Sequence, residues 1–231
     1  MVGVARTFGQ YCGLAKALEL VGERWALLII RDLLVGPRRF TDLRNGLPRI
    51  PTNVLATRLK ELEETGLIQR RLLPRPHSSF VYELTSYGRD IEPALHQLSR
   101  WGARSLGEPE ADDVVTADSL TMALRSTFTP GAHRGQGRVR YQLRAGQIVL
   151  TATVHRGGLT VVEGIEPDPD ITIETGPGLK ALMAGELSAT DAIARGVVTV
   201  TGDATLLELF ARTFPVGPPP SDPAIPAARP R

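Results

Sequence analysis

Ile50-Pro-Thr-Asn-Val-Leu-Ala-Thr-Arg-Leu-Lys-Glu-Leu-Glu-Glu-Thr-Gly-Leu67 is the most regular stretch of this chain, and the segments on either side take their reading from it. Leu55, Leu59 and Leu62 recur at helical spacing and form one apolar stripe, and Gly66 stands where a helix commonly ends. At 100° per residue, Asn53, Thr57 and Lys60 project opposite that stripe, with Thr52 and Ala56 on one flank and Arg58 on the other. The helix therefore has one face to bury and one polar face of short and cationic side chains to present.

Working outward, the N-terminal side holds three further helical segments. Leu14, Ala17, Leu18 and Val21 recur at three- and four-residue intervals, and after Gly22 a second apolar run, Trp25–Ile30 with Leu33 and Leu34, ends at Gly36-Pro37. Phe40, Leu43 and Leu47 mark a short third helix. Downstream the period changes to two: Ile68–Leu73 and Phe80–Leu84 read as strands, joined by Pro74-Arg-Pro-His-Ser-Ser79. Thr85 is a suitable cap for a last helix, with Ile91, Leu95, Leu98 and Trp101 on its apolar side, running to Leu106. The last three of these four helices, a two-stranded hairpin and a terminal helix make a winged helix-turn-helix, mainly α with a two-stranded wing.

Such a unit places one helix in the major groove of DNA, which is about 12 Å wide. Asn53 can make a bidentate contact to adenine, Thr52 and Thr57 can hydrogen-bond bases or phosphates, and Ala56 can lie against a thymine methyl. Arg58 and Lys60 are expected at phosphates, which fix register rather than read sequence. Arg70 and Arg71 flank the hairpin loop, Arg75 and His77 occupy it, and Arg38, Arg39, Arg44 and Arg49 surround the turn between the helices. Cations clustered on the side of the proposed groove helix are the footprint of a phosphate-binding face.

Over about Tyr11 to Trp101 the sequence closely resembles the HxlR family of winged-helix transcriptional regulators. The residues that carry the likeness are Cys12, Gly22-Glu-Arg-Trp25, Arg31-Asp-Leu-Leu34, Gly36-Pro-Arg-Arg-Phe40, Leu55 through Gly66, and Tyr82-Glu-Leu-Thr85 with Gly88. The resemblance implies a homodimer, with the N-terminal segment and the Ser86–Leu106 helix at the interface, bound to a near-palindromic double-stranded operator. Many members carry Ser-Pro ahead of the groove helix where this chain has Pro51-Thr52, which leaves the helix start, and Thr52's role, open by a residue. Cys12 has two readings. Some HxlR-like proteins resemble thiol redox sensors with a cysteine at this place, whereas an unpaired cysteine is otherwise often a small packing residue.

Charge separates the chain into halves. Of its 27 basic and 25 acidic residues, Met1–Leu106 holds 16 and 10, a net of +6, and Gly107–Arg231 holds 11 and 15, a net of −4. The acidic stretch between Gly107 and Asp118 has no core pattern, and the proline-rich segment from Pro215 has little to bury. Two domains, 1–108 and 115–214, are expected, with a linker at 109–114 and a disordered tail at 215–231. The second domain opens with a helix over Ser119–Phe128. Strands follow at Arg138–Leu143, Gln147–Thr153, Gly158–Val162, Ile171–Glu174 and Val197–Thr201, with helices over Gly178–Ala184, Ala189–Ala194 and Ala204–Thr213, the last capped by Asp203. This is an α+β plan with a largely antiparallel sheet.

Ile171 to Phe214, above all Met183-Ala-Gly-Glu-Leu187, Ala192 and Val200-Thr-Gly-Asp203 with Leu206 and Leu207, resembles the sterol-carrier-protein type 2-like domain. That likeness implies an apolar tunnel under the sheet. Its candidate walls are Met122, Tyr141, Leu143, Leu150, Leu179, Met183, Leu206 and Phe210, and its occupant would be a small apolar or lipid-like effector. Each of these residues also suits an ordinary core, and Arg138, Arg140 and Arg144 either meet a ligand carboxylate or form the wet face of a strand.

Catalytic signals are missing from the sequence. His77, His96, His133 and His155 are scattered, no nucleophile elbow or Walker loop occurs, and Gly135-Gln-Gly137 leads into a strand without a third glycine. No enzyme, metal or cofactor is expected. The single cysteine, the lack of a signal-peptide pattern and the short apolar runs point to a cytoplasmic protein with no membrane partner. The leading expectation is a homodimeric regulator controlled by an effector in its second domain. The alternatives are a regulator whose second domain only dimerises or docks, a thiol sensor acting through Cys12, and a lipid carrier with a vestigial winged helix.

Overall fold

The computed structural model describes residues 7–74, 79–107, 110, 112–176 and 178–218. The chain divides into two compact units, Met1–Leu95 and His96–Arg231. Among the described residues no helix is long and apolar enough to cross a membrane.

In the first unit, α1 (Gly13–Val21), α2 (Ala26–Val35), α3 (Phe40–Gly46) and α4 (Thr52–Glu64) precede an antiparallel hairpin of β1 (Ile68–Leu72) and β2 (Phe80–Leu84). The α4 stripe is buried as its spacing predicts, with Leu55, Leu59 and Leu62 in one core with Ile29, Ile30, Leu33 and Leu43. Gly66, at φ +72°, turns the chain out of α4 into the strand. A third, one-residue rung joins the hairpin: Arg38 N donates to Tyr82 O at 3.0 Å and Tyr82 N to Arg38 O at 2.8 Å, fixing the α2–α3 turn to the wing.

Two sequence expectations change here. The apolar stripe expected on α1 is buried only at Val21: Leu14 is 69% and Leu18 44% exposed, while Ala15, off the stripe, is buried. The helix expected to run unbroken from Ser86 is split into α5 (Ser86–Arg89) and α6 (Glu92–Ala103). Thr85 caps α5 by accepting from Gly88 N at 3.0 Å, and α5 presses so closely on the α4–β1 turn that a Cβ on Gly88 would lie 2.0 Å from Leu67 O. Pro93 has no N–H to donate and fits only a first helical turn, so a new helix starts there.

In the second unit, α7 (Ala117–Thr127) is closed by a reciprocal cap in which Thr116 Oγ1 accepts from Ser119 N and Ser119 Oγ accepts from Thr116 N. A five-stranded sheet follows in the order β5-β4-β3-β6-β7, from β3 (Val139–Ala145), β4 (Ile148–His155), β5 (Gly158–Glu163), β6 (Ile171–Glu174) and β7 (Thr199–Gly202). Every pair is antiparallel except β3 with β6. The β3–β4 turn is Gly146-Gln147, one residue later than expected. Arg156 (φ +50°) and Gly157 (φ +77°) form the β4–β5 turn with both residues left-handed, the type I′ geometry that matches strand twist. The helices α8 (Leu179–Met183), α9 (Ala189–Ala194) and α10 (Leu206–Thr213) complete the unit. Asp203 acts just ahead of α10, where its Oδ1 accepts from Thr205 N and Thr205 Oγ1.

The C-terminal half of α6 belongs to this unit: Arg100 donates to Ser126 O, Arg104 to Pro218 O, and Lys180 to Leu106 O. The centre is aromatic. Phe210 and Phe214 lie 4.9 Å apart, and Tyr141 stands 5.4 Å from Phe210 in an edge-on contact. Tyr141 OH is hydrogen-bonded to His133 Nε2 at 2.9 Å, and burial holds His133 below the usual histidine pKa. The native ring thus resists a proton that the unfolded chain accepts. The stability contributed by neutral His133 is complete above about pH 6.5, the unfolded value, and is lost as pH falls through the lower native value. Denaturant midpoints should fall from pH 7 to pH 5, with a shallower slope in a His133→Gln variant; equal slopes would count against this assignment.

Candidate nucleic-acid interface

The core contacts of α4 fix its rotation, and the rotation fixes what it presents. Thr52, Asn53, Ala56, Thr57 and Lys60 are all exposed, and α4 begins at Thr52 with Pro51 as its cap. Asn53 has no side-chain hydrogen bond among the described residues, so its amide keeps both a donor and an acceptor. The Thr57 hydroxyl donates back to Asn53 O at 2.9 Å, leaving its oxygen as an acceptor. Lys60 is 3.6 Å from Glu64, with both side chains well exposed, a pairing too weak to withhold its charge from a phosphate.

Arg58 departs from the expectation. Its guanidinium binds Glu23 at 3.0 Å and also Glu61, and its side chain is only 17% exposed. It joins α4 to the α1–α2 turn instead of standing on the outer face. Arg71 is likewise engaged, 2.8 Å from Glu83 across the hairpin, and hydrogen bonds from Arg71 and Gln69 hold the Glu83 carboxyl below its usual pKa. Arg70 lies over the rings of Phe80 and Tyr82, 4.7 and 5.7 Å from their centroids, a cation–π arrangement that stiffens the wing while leaving its charge in solvent. Arg39 and Arg44 are exposed on either side of the α3 start, where Arg39 N donates to Asp42 Oδ2. Arg75 and His77 lie outside the described residues.

Sequence spacing missed the Arg38–Tyr82 rung, the Arg70 stack and the Glu23 partner of Arg58. The first two carry a faint signal in alternate positions of one strand, Phe80 and Tyr82; the third carries none, because Glu23 and Arg58 are 35 residues apart.

Cys12 is exposed at the start of α1, so within the chain it is not the packing residue of the second reading. The backbone N–H groups of Ala15 and Leu14 hold its thiol below the usual range, without a full cap hydrogen bond. The positive end of a helix favours a thiolate in this way.

Of the eight residues expected to wall an apolar tunnel, five are buried in the core. Tyr141 and Phe210 are 0% accessible to a water-sized sphere, Met122 and Leu150 are nearly so, and Leu143 is buried with them. Leu179, Met183 and Leu206 are half-buried and pack against the same cluster. The aromatic rings of Phe128, Tyr141, Phe210 and Phe214 pack on one another within that cluster. Among the described residues no group of three metal-ligating side chains is brought together.

Comparison with known proteins matches both units. The HxlR-like helix-turn-helix family model matches residues 20–110, and the SCP-2 sterol transfer family model matches residues 129–215. An HTH-type transcriptional regulator of Mycobacterium tuberculosis is 42% identical over 169 residues, covering 73% of this chain and 89% of the relative. The HTH-type transcriptional regulator YvaP of Bacillus subtilis is 37% identical over 86 residues, 37% of this chain and 80% of YvaP. Among solved structures, the reduced form of the transcriptional regulator YodB from B. subtilis is similar at 31% identity and a TM-score of 0.38, over 44% of this chain and 100% of YodB.

The Cys12 environment makes a chemical prediction. At pH 7 iodoacetamide should alkylate Cys12 faster than it alkylates a free cysteine peptide, with the rate rising to its plateau at lower pH. A pH profile matching that of the peptide would show that the helix start does not activate the thiol.

Proposed function

This chain belongs to the HxlR family of helix-turn-helix transcriptional regulators, and from that premise we propose that it acts as a homodimer that reads a near-palindromic operator through α4. The supporting observation is the outward face of α4, where Thr52, Asn53, Ala56, Thr57 and Lys60 stand exposed on a helix locked by Leu55, Leu59 and Leu62. Asn53 reads a base, with Thr52, Ala56 and Thr57 beside it, and Lys60, Arg39 and Arg44 meet phosphates. Arg71 serves as a phosphate contact only in so far as it gives up Glu83. In the dimer the two α4 helices lie about 34 Å apart, to enter successive major grooves.

Dimerisation gives a role to side chains that one chain leaves in water. Phe8, Tyr11, Leu14 and Leu18 are exposed in the N-terminal segment, as are Leu98, Trp101 and Leu106 on and just beyond α6. These are the two segments that the family resemblance assigns to the interface. A monomer that exposes so many large apolar groups ordinarily uses them for association.

Residues 1–108 form the DNA-binding and dimerisation domain in this reading, and 115–214 form the domain that modulates it. The close-packed aromatic centre of the second unit favours a docking or dimerisation role over capture of a lipid among those eight residues. An effector of any chemistry acts only by binding the DNA-competent and incompetent dimers with different affinity.

Selection of bound duplexes from a random pool by the full chain tests the reading, followed by binding measurements across salt concentrations. Asn53→Ala should relax preference at one or two base pairs, at a cost of about 1–3 kcal/mol there. Lys60→Ala should weaken binding to all sequences and reduce the salt slope by about 1. Arg58→Ala should leave the slope unchanged, because its charge is already paired within the fold. Unaltered affinity in both the Asn53 and Lys60 variants would overturn docking through α4. Retention of an apolar compound by the purified protein, released on denaturation, would overturn the docking-module reading of the second domain.

A further inference from the structure

A cleft of about 360 Å³ opens in the second unit between the β4–β5 turn and the 3-10 turn Pro130–His133 with the loop that follows it. This volume lies within the range of small-molecule sites, and none of the eight expected tunnel residues borders it. Arg134, Arg156 and His155 stand in its walls with Gln136 and four glycines of the two turns, and no carboxylate lines it. Among the described residues the Arg134 and Arg156 guanidinium groups make no ion pair. This concentration of basic groups occurs in the half of the chain whose net charge is −4, so the field of the surroundings does not account for it.

The wall also contains a polar group that the protein leaves unsatisfied. His133 is 6% exposed, its Nε2 is bonded to Tyr141 OH in the core, and its Nδ1, on the other side of the ring, has no hydrogen-bond partner. A buried ring nitrogen without a partner is costly and rare, and this one is enclosed behind the cleft wall. Glycine-rich turns let a ligand approach backbone N–H groups closely, and successive N–H groups in turns are a recurring way to hold an anion. Pro130 supplies an exposed apolar wall for the rest of a molecule.

We propose that this cleft binds a small organic oxyanion, with Arg134 and Arg156 pairing its carboxylate or phosphate group and the glycine backbone supplying directed donors. The site needs neither an apolar tunnel nor DNA binding by α4. Two guanidinium groups converging on one anion form the charge-assisted contacts that exceed neutral hydrogen bonds in strength.

The test is an NMR titration of the full chain with sodium phosphate and, separately, with sodium benzoate, at constant ionic strength against a sodium chloride reference. The His133 ring and the Gly135 and Gly157 amides are the reporters. Saturable 1:1 shifts are expected with at least one probe, and affinity should fall by about tenfold or more in an Arg134→Gln/Arg156→Gln double variant. Both arginines are exposed, so that variant retains the fold. Saturation by phosphate alone identifies a phosphate-bearing ligand, and saturation by benzoate alone a carboxylate. Absence of saturation with both probes, an equal response to chloride, or unchanged affinity in the double variant would overturn the proposal. Displacement of the bound probe by a short DNA duplex would overturn it in favour of a nucleic-acid contact.

Discussion

Burial of three leucines on one side of α4 is the constraint on which the orientation of its outer polar face depends. Leu55, Leu59 and Leu62 are almost fully enclosed, and each enclosed leucine contributes roughly 1.5–3 kcal/mol relative to exposure. A helix held at three points along one stripe cannot roll. With 100° between successive residues, the outward direction of Asn53, Thr57 and Lys60 follows from that packing alone. The Arg38–Tyr82 rung then ties the wing to the turn preceding α3, so helix and hairpin are referred to one frame.

Electrostatics within that frame are more restrained than a count of arginines suggests. Arg58 and Arg71 are held by Glu23, Glu61 and Glu83, and Arg70 is laid over two rings. These cations stiffen the unit and offer less net charge to a polyanion. An anion that reached Arg71 would first have to displace a carboxylate whose charged form that arginine stabilises. Affinity in such a surface rests on a few free cations and specificity on neutral side chains.

The second unit shows how a likeness in sequence pattern can leave a cavity undetermined. The succession of strands and helices agrees with the expected α+β plan, and Tyr141, Phe210, Phe214 and Phe128 pack together at its centre. Apolar residues that wall a tunnel and apolar residues that fill one obey the same alternation along a strand. The difference is a matter of side-chain volume summed over elements far apart in the chain, and protein interiors are dense enough for one ring to close such a space.

Read alone, the amino-acid sequence established the element order, the α4 stripe, the polar face opposite it, the wing and the α+β second unit. Each of these is encoded by local periodicity or by a cap or turn residue within a few positions. Tertiary contacts were needed for everything that joins distant residues: the pairing of Arg58 with Glu23, the exposure of Leu14 and Leu18, and the break at Pro93 beside a Gly88 pressed on Leu67. They were also needed to bring Tyr141, Phe210 and Phe214 together and to gather Arg134, Arg156 and His133 around one cleft. The reason is physical: local pattern fixes which way a side chain leaves its own helix or strand, whereas its partner is supplied by whichever element packs opposite.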